Sequence, residues 1–413
     1  MSYLKNKIIN DPIYGFVHIP FNIIWELIEH PYFQRLRRIS QLGLSSLVYP
    51  GANHNRFHHA IGAMYLMHQA IETLKSKGQV ITKKEHESSL IAILLHDIGH
   101  GPFSHALEHS IVNNLSHEKV SIMFMNKLNE EFNGKLSLAI DIFQKKYKKK
   151  FLHQLISSQL DVDRLDYLNR DSFYSGVNEG IINSNRIISM LNVKNNELVI
   201  DEKGLHSIEK FIIARKLMYW QVYLHKTVLS AEHTLMKVLK RAKQLTKNGS
   251  IIYTTPAFNI FLYESEQINE NLFNKNQLLD KFSLLDDYDI LTCVKNWQYE
   301  KDIVLSLLSK TIINRKLLKI KSVKKHKMIS ELKKIKNYAH KNMKIIDVDL
   351  DYLVFPISIK NETYNFIEDE IKFLTKQNTL VNLSDMQKEF SVNTRNASII
   401  KHYICCPETC MNI

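Results

Sequence analysis

The spacing of apolar residues predicts a chain built mainly of helices. Residues 84–98 become almost wholly apolar towards their end, where Gly99 and Gly101 stop the pattern. Residues 193–201 are typical of a β-hairpin, because the central Asn195-Asn196 pair tolerates the left-handed backbone of a tight turn. Helical spacing extends over residues 57–76, 84–98, 118–132, 135–149, 153–168, 204–247 and 256–309.

The two ends of the chain have a different pattern. Residues 1–50 predict short extended pieces, a turn at Asn10-Asp11-Pro12, and helical spacing that is interrupted near Pro31. After residue 310, short alternating stretches replace the helical spacing. We therefore expect a mainly α fold with small β-hairpins, followed by a mixed α/β region over residues 311–413.

Composition excludes several classes of protein. With 45% hydrophobic residues in 413, the chain can bury a large core, and 12 Gly and 8 Pro exclude a collagenous or turn-rich β protein. Four cysteines are too few for a disulfide scaffold. Cys405, Cys406 and Cys410 lack a second ligand pair for zinc, so we expect free thiols on a C-terminal tail.

Without a signal sequence or a run of about 18 apolar residues, the prediction is a cytoplasmic protein with no membrane partner.

The positive charge is concentrated in one segment. Residues 315–344 hold twelve Lys or Arg against one Glu, and so account for eleven of the thirteen net positive charges. Two interpretations stay open. The segment is either a solvated helix and loop, or an anion-binding surface for a nucleotide effector or a nucleic acid.

Histidines carry the main chemical signal. Twelve of the 19 lie in the first 117 residues, and His is both a common metal ligand and a proton carrier at neutral pH. His96-Asp97 follows the apolar run at the end of a predicted buried helix, where a charged Asp is costly unless it is paired. A metal ion would satisfy both side chains. Hydrogen bonds to the backbone of the helix end are the alternative.

A run of acids is the second signal. Residues 161–171 contain four Asp, several of them in apolar company. Such acids could serve a metal, but a solvated face with surface salt bridges is the usual structure of a charged run.

Together these segments resemble a known family. The stretches HDIGHGPFSH (96–105) and DVDRLDYLNRD (161–171) stand in the order found in HD-domain metal-dependent phosphohydrolases. The chain is most similar to the deoxynucleoside triphosphate triphosphohydrolases, over roughly residues 8–245. Further matching stretches are residues 10–15, 31–43, 49–59, 116–118 and 219–226.

The resemblance implies one divalent metal ion, Mn or Fe, with Zn, Ni or Mg as alternatives. The ligands that it implies are His59, His96, Asp97 and Asp163. It also places His105 and His117 beside the phosphates. We expect Arg56 and Arg164 to bind the phosphates, because Arg pairs with phosphate in a bidentate fork. The predicted catalytic residues are His100, His105, His117 and Glu118. We expect His117 and Glu118 to form an acid/base pair, and His100 to be either a proton donor or a partner of a ligand.

The same resemblance implies residues for the nucleoside and for an effector. Gln41 and Leu42 would lie near the sugar, and Tyr223 would pack near the nucleoside. Tyr167 and Asp171 would close the pocket against a 2′-hydroxyl. One effector site would use Glu29, Gln34 and Arg37. Regulated members of the family are tetramers, so a homo-oligomer, either a dimer or a tetramer, is expected.

The predicted domains are an HD phosphohydrolase core over residues 1–310 and a basic region over residues 311–413. The predicted reaction is hydrolysis of a dNTP to a deoxynucleoside and inorganic triphosphate. Two alternatives stay open: an HD phosphohydrolase acting on another nucleotide or a phosphomonoester, and a nucleic-acid-binding scaffold with a vestigial site.

Overall fold

The computed structural model describes residues 7–103, 116–264, 277–343, 347–361, 370–388 and 399–411. Within these ranges the protein is mainly α-helical with small sheets, as the apolar spacing predicted. One continuous apolar core joins the N-terminal helices to residues near the C-terminus. No helix in the described ranges combines the length and the apolar character needed to cross a membrane.

The N-terminal segment is a hairpin followed by two short helices. Strands β1 (Ile8–Asp11) and β2 (Gly15–His18) are antiparallel. The predicted turn forms because an oxygen of the Asp11 side chain accepts hydrogen bonds from two backbone N–H groups of the turn. Helix α1 (Asn22–Glu29) ends before the proline that begins α2 (Pro31–Gln34).

The next helices form the framework of the site. Helix α3 packs against both α4 and α8. Side chains of Asn55 and Thr82 cap the first turns of α3 and α4, and thereby fix where these helices begin. The seven helices are α3 (Arg56–Ser76), α4 (Lys83–Leu94), α5 (His117–Glu131), α6 (Ser137–Phe143), α7 (Lys150–Gln154), α8 (Val162–Ser175) and α9 (Ser184–Ser189).

Several predicted helices are divided or shortened. Helix α4 ends at Leu94 and not at residue 98, and the segment 256–309 is divided into separate helices. The segment 153–168 breaks because Asp161 caps a new helix and accepts hydrogen bonds from the backbone of Ser158 and Arg164. The segment 204–247 is α10 (Leu205–Met218), a π-helical turn and then α11 (Lys226–Lys247). Helix α6 stops early, and the chain turns at Lys145, which has a left-handed φ of 61°.

The hairpin prediction is confirmed. Strands β3 (Leu191–Lys194) and β4 (Glu197–Asp201) pair around Asn195 and Asn196, whose φ values are 53° and 65°. On its other edge, β4 pairs in parallel with β7 (Lys372–Leu374), which pairs with β8 (Leu380–Asn382).

In the described part of the chain after residue 250, four helices come first and mixed structure follows. Strand β9 lies between β5 and β6 in an antiparallel sheet. The division at residue 310 remains a prediction. The elements are α12 (Pro256–Tyr263), α13 (Gln277–Leu284), α14 (Asp287–Trp297), α15 (Ile303–Ile313), β5 (Lys319–Ser322), α16 (Met328–Met343), α17 (Asp347–Leu350), β6 (Phe355–Asn361) and β9 (Ile399–Cys406).

The three C-terminal cysteines do not lie on an exposed tail. Cys405 and Cys406 belong to β9, and they and Cys410 are buried as free thiols. The expectation of a tail was wrong because β9 pairs with β5 and β6, which lie about 40 to 85 residues earlier in the chain.

Because β7 pairs with β4, residues 372–374 belong to the same sheet as the hairpin of β3 and β4. Phe373 is buried there opposite Ile200. We predict that Phe373→Ala lowers the free energy of unfolding by about 3–5 kcal/mol, because the truncation leaves a cavity in the core. Urea unfolding would measure this loss, with the half-buried Val381→Ala on the neighbouring strand as a milder control. An unchanged midpoint would contradict the packing described here.

Candidate metal centre

Donor atoms from three segments converge at one buried point. His59 lies in the first turn of α3, His96 and Asp97 follow the end of α4, and Asp163 lies in the first turn of α8. The Nε2 atoms of His59 and His96 are 3.4 Å apart, and Oδ1 of Asp163 lies 3.1 Å from the first and 3.6 Å from the second. Oδ1 of Asp97 lies 3.3 Å from Nε2 of His96.

The turn after α4 allows neighbouring residues to face the same point. Because α4 ends at Leu94, His96 and Asp97 are outside the helix and are not held 100° apart around its axis. Gly99 brings this turn against the start of α5, where a Cβ atom would lie 2.3 Å from backbone atoms of His117 and Ser121. The Ser121 hydroxyl accepts from the Gly99 N–H and donates to the His96 carbonyl, which fixes the turn.

Hydrogen bonds to the other ring nitrogens orient both imidazoles. Nδ1 of His59 lies 2.8 Å from Oδ2 of Asp166, and Nδ1 of His96 lies 2.6 Å from the Ile93 carbonyl oxygen. Neither oxygen has a proton to donate at neutral pH, so the Nδ1–H groups donate. The Nε2 atoms therefore face the cluster, where they can bind a metal ion once their protons have left, and this is the orientation typical of metal-binding histidines.

Asp166 is itself held by a buried cation. Nε and Nη2 of Arg170 each donate to an oxygen of Asp166 at 2.9 Å. Nη1 of Arg170 lies 2.9 Å from Oδ2 of Asp11 in the N-terminal hairpin. A Cβ atom at Gly62 of α3 would lie 2.1 Å from Asp166, so this glycine is required for the close approach.

Three acids of the run are buried and Asp163 is partly buried, so the interpretation as a solvated face is wrong. Asp161 caps α8, Asp163 faces the donor cluster and Asp166 holds His59. Asp171 accepts from the Tyr223 hydroxyl at 2.6 Å and lies 2.8 Å from Nε2 of His54. Each acid therefore has a defined structural role, and His59 is contacted by both Asp163 and Asp166.

The donor set fits a divalent metal ion. It comprises the Nε2 atoms of two imidazoles and two carboxylates, and such sets suit first-row divalent ions. Burial opposes the charged form of His59, but hydrogen bonds with Asp163 and Asp166 outweigh burial and raise its pKa to about 10. Burial likewise opposes charge on Asp97, yet His96, His100 and Arg56 bring its pKa well below the usual range. In the metal-free fold, protons therefore provide the positive charge that a cation would provide.

Two of the predicted catalytic residues, His100 and His117, lie on the Asp97 side. His100 stacks on His117 with ring centroids 3.9 Å apart, and its Nε2 lies 3.3 Å from Oδ1 of Asp97. Burial and Arg56 lower the pKa of His100 to about 3, so the ring is neutral at pH 7. Glu118 is exposed next to His117. His105 lies outside the described residues.

The two predicted phosphate-binding arginines are both engaged with acids. Nη1 of Arg56 contacts Asp97, and Nη1 of Arg164 contacts Asp161. Nε of Arg164 is buried and has no hydrogen-bond partner within the described ranges. The Nε–H group of Arg164 is thus available to donate to another acceptor.

The predicted nucleoside residues form a second cluster along α8. Tyr167 packs edge to face on Tyr223, whose hydroxyl donates to Asp171. The backbone N–H of Gln41 donates to the His54 carbonyl, while its buried Oε1 has no partner in the part of the chain described. Leu42 packs half-buried against the core nearby.

The predicted effector residues lie near the ends of α1 and α2. Nε of Arg37 donates to Oε1 of Gln34 at 2.8 Å, and the guanidinium lies 3.7 Å over the ring of Phe57. Glu29 is exposed at the end of α1. The structure brings Gln34 and Arg37 together and records no contact between them and Glu29.

Sequence reasoning assigned no role to four residues of these networks: Asp11, His54, Asp166 and Arg170. Asp166 and Arg170 are spaced i,i+4 within the run of acids, which is the spacing of an ion pair on one helix face. This spacing is the signal that could have identified them. Asp11 and His54 carry no such local signal, because their partners lie more than 100 residues away.

Asp166 should control metal affinity without contacting the metal. We expect Asp166→Asn to weaken binding of Mn²⁺ by about 10–100-fold, because the His59 ring loses its charged acceptor. Calorimetric titration of the metal-free protein would measure the affinity. Asp141→Asn, an exposed Asp on α6, is the matched control. Equal affinities of the two variants would contradict the role of Asp166.

Metal binding should also release protons. His59 and His96 have raised pKa values in the metal-free fold, yet only neutral imidazoles bind metals. Adding Mn²⁺ at pH 7 to lightly buffered protein should therefore release roughly one to two protons per chain, and the affinity should fall as the pH is lowered. An indicator dye would record the release, and its absence would show that both rings are neutral before binding.

Comparison with known proteins agrees with this geometry. The family described as "HD domain" matches residues 56–171, which contain all four donor residues, and "HD associated region" matches residues 182–251. A crystal structure of a phosphohydrolase from Bacteroides thetaiotaomicron superposes with a TM-score of 0.92 at 46% identity, covering 97% of this chain and 100% of that one.

Sequence relatives extend the comparison. The uncharacterized protein YwfO of Bacillus subtilis is 37% identical over 320 residues, which is 76% of this chain and 71% of YwfO. The deoxynucleoside triphosphate triphosphohydrolase SAMHD1 homolog of Dictyostelium discoideum is 32% identical over 266 residues, or 60% of this chain and 51% of that protein. The fold, the donor cluster and these relatives together place the chain in the HD-domain phosphohydrolase family.

Proposed function

We propose that this protein hydrolyses deoxynucleoside triphosphates to a deoxynucleoside and inorganic triphosphate. One observation carries the proposal: Asp163, Tyr167 and Asp171 lie at i, i+4 and i+8 on α8. One helix face thus joins the metal-donor cluster to the Tyr167–Tyr223 aromatic cluster. The relative from Dictyostelium discoideum named as a deoxynucleoside triphosphate triphosphohydrolase supports this choice of substrate.

His59, His96, Asp97 and Asp163 would hold the metal, and Mn or Fe is our preferred ion for two imidazoles and two carboxylates. When bound, such an ion supplies Lewis-acid activation of water and of a phosphoryl oxygen. The neighbouring side chains orient the ligands, bind the phosphates and move protons.

Arg56 and Arg164 provide positive charge around the phosphates. Arg164 is fixed at Nη1 by Asp161, which aligns its guanidinium, and its unpartnered Nε can donate to a phosphate oxygen. Arg56 lies on Asp97 at the edge of the donor cluster. Fixed cations of this kind stabilise the negative charge that develops during phosphoryl transfer.

The stacked pair of His100 and His117 is our candidate for proton transfer. In the proposed reaction a water oxygen forms a bond to the α-phosphorus, and the bond from that phosphorus to the 5′-oxygen breaks. The leaving 5′-oxygen then needs a proton. His117 is the proton donor in this proposal, because an imidazole transfers a proton through an in-plane N–H group, and the stacked, neutral His100 holds the His117 ring in place.

Asp171 and its partners would select the sugar. The Tyr223 hydroxyl and His54 hold both oxygens of Asp171, so the cluster forms a rigid polar wall beside Tyr167. A rigid wall at the sugar would exclude a 2′-hydroxyl.

Activation by a nucleotide near Gln34 and Arg37, and assembly into a homo-oligomer, belong to the same proposal. A vestigial site is disfavoured because all four donor residues are present and oriented.

Product analysis tests the proposed reaction. Metal-replete protein should release inorganic triphosphate from dNTPs, and His96→Ala or Asp97→Ala should lower this activity by at least about 100-fold, since each removes a direct ligand. Anion-exchange chromatography would identify the products. The exposed His206→Ala is the matched control and should keep full activity.

Two outcomes would count against the proposal. Release of a nucleoside monophosphate with pyrophosphate would show that a different bond is broken. Hydrolysis of phosphomonoesters but not of dNTPs would favour the other HD phosphohydrolase reaction. Each dNTP should be assayed with and without dGTP, because equal rates would exclude activation by that nucleotide.

A further inference from the structure

A second histidine cluster lies on the helices that position His59 and His96. His68 and Glu72 on α3 face His86 on α4. Nδ1 of His68 lies 3.0 Å from Nε2 of His86, and Oε1 of Glu72 lies 3.5 Å from Nδ1 of His86. The reaction proposed above uses none of these side chains.

In both clusters, a histidine of α3 faces a histidine in or just after α4. These helices are joined by a short connection, so residues near the start of α3 lie beside the end of α4. His59 therefore lies next to His96. His68, nine residues after His59 on α3, lies next to His86, which is ten residues before His96. The second cluster is thus about 14 Å along the helix from the first.

Two side chains of the second cluster, Glu72 and His86, already contact a cation. Nζ of Lys75 lies 2.9 Å from Oε1 of Glu72 and 2.9 Å from Nδ1 of His86. Because the ammonium donates to Nδ1, the proton of the His86 ring lies on Nε2 and is donated to His68. Lys75 is partly exposed, so its flexible side chain can move into solvent and leave these acceptors unoccupied.

The chemistry of the three side chains matches a metal site. Each offers a donor atom, and all three atoms lie within 4.8 Å of one another, as do those of His59, His96 and Asp163. His68 and Glu72 are spaced i,i+4 and so share one helix face. Burial lowers the pKa of His68 and, with Lys75, that of His86 to about 4, so both rings are in the neutral form that binds metals.

We propose that His68, Glu72 and His86 form a second divalent-metal site, with Zn²⁺ as the preferred ion, that braces α3 against α4. Two imidazoles and one carboxylate with a water are a common Zn²⁺ ligand set. The ion would take the place of the proton between Nδ1 of His68 and Nε2 of His86, and would compete with the Lys75 ammonium for Glu72. It would hold together the two helices that position the first centre. This inference does not depend on the substrate or the reaction proposed above.

Zn²⁺ titration against a chromogenic chelator tests the site in the full chain. We expect two Zn²⁺ per wild-type chain. One should remain in His68→Ala or Glu72→Gln, and one should also remain in the double variant His96→Ala/Asp97→Ala. Glu130→Gln, an exposed Glu on α5, is the control and should bind two.

Lys75→Met distinguishes a metal site from a hydrogen-bonded cluster. Removing the competing ammonium should tighten the second site several-fold and increase the rise in melting temperature on adding Zn²⁺. One Zn²⁺ per chain in both the wild type and Lys75→Met would overturn the proposal. So would a second Zn²⁺ that persists in His68→Ala and Glu72→Gln, because it would lie elsewhere. Glu72 is half exposed, so Glu72→Gln keeps the test valid if a histidine variant fails to fold.

Discussion

The arrangement of the metal centre depends on one buried hydrogen bond, between Nδ1 of His59 and Asp166. Asp166 is completely buried, and an unpaired carboxylate there would be strongly destabilising. Arg170 supplies the opposing charge and is held in turn by Asp11 of the N-terminal hairpin. Strand β1, which lies far from the donor cluster in sequence, thus helps to fix the orientation of the His59 imidazole. Gly62 leaves the space in which this ion pair lies against α3.

The same constraint explains why α8 carries so many functional side chains. Asp161, Asp166 and Asp171 are buried and therefore need polar partners, whereas Asp163 is partly exposed at the donor cluster. Asp161 begins the helix by capping it, and Asp163 follows within the first turn, so the cap determines where this donor lies. Further along, Asp171 is held by His54 and Tyr223 at the end near the aromatic cluster. A shift of the helix start by one residue would rotate all of these side chains by about 100°.

Much of this architecture could be predicted from the sequence, for identifiable reasons. Helices such as α1 and α11 bury one side, so their spacing is visible, and the Asn195-Asn196 turn has a strong local signal. The break between α7 and α8 was missed because apolar spacing continues through it, and a single cap decides the boundary. Burial of the C-terminal cysteines and the pairing of Asp11 with Arg170 depend on contacts between distant segments, which no local pattern contains.

The central claim is that this buried centre directs water to the α-phosphorus of a nucleoside triphosphate. Hydrolysis in ¹⁸O-labelled water, followed by mass spectrometry of both products, tests it most directly. The account predicts one ¹⁸O atom in inorganic triphosphate and none in the deoxynucleoside. Label in the 5′-hydroxyl of the nucleoside, or in a monophosphate released with pyrophosphate, would contradict it.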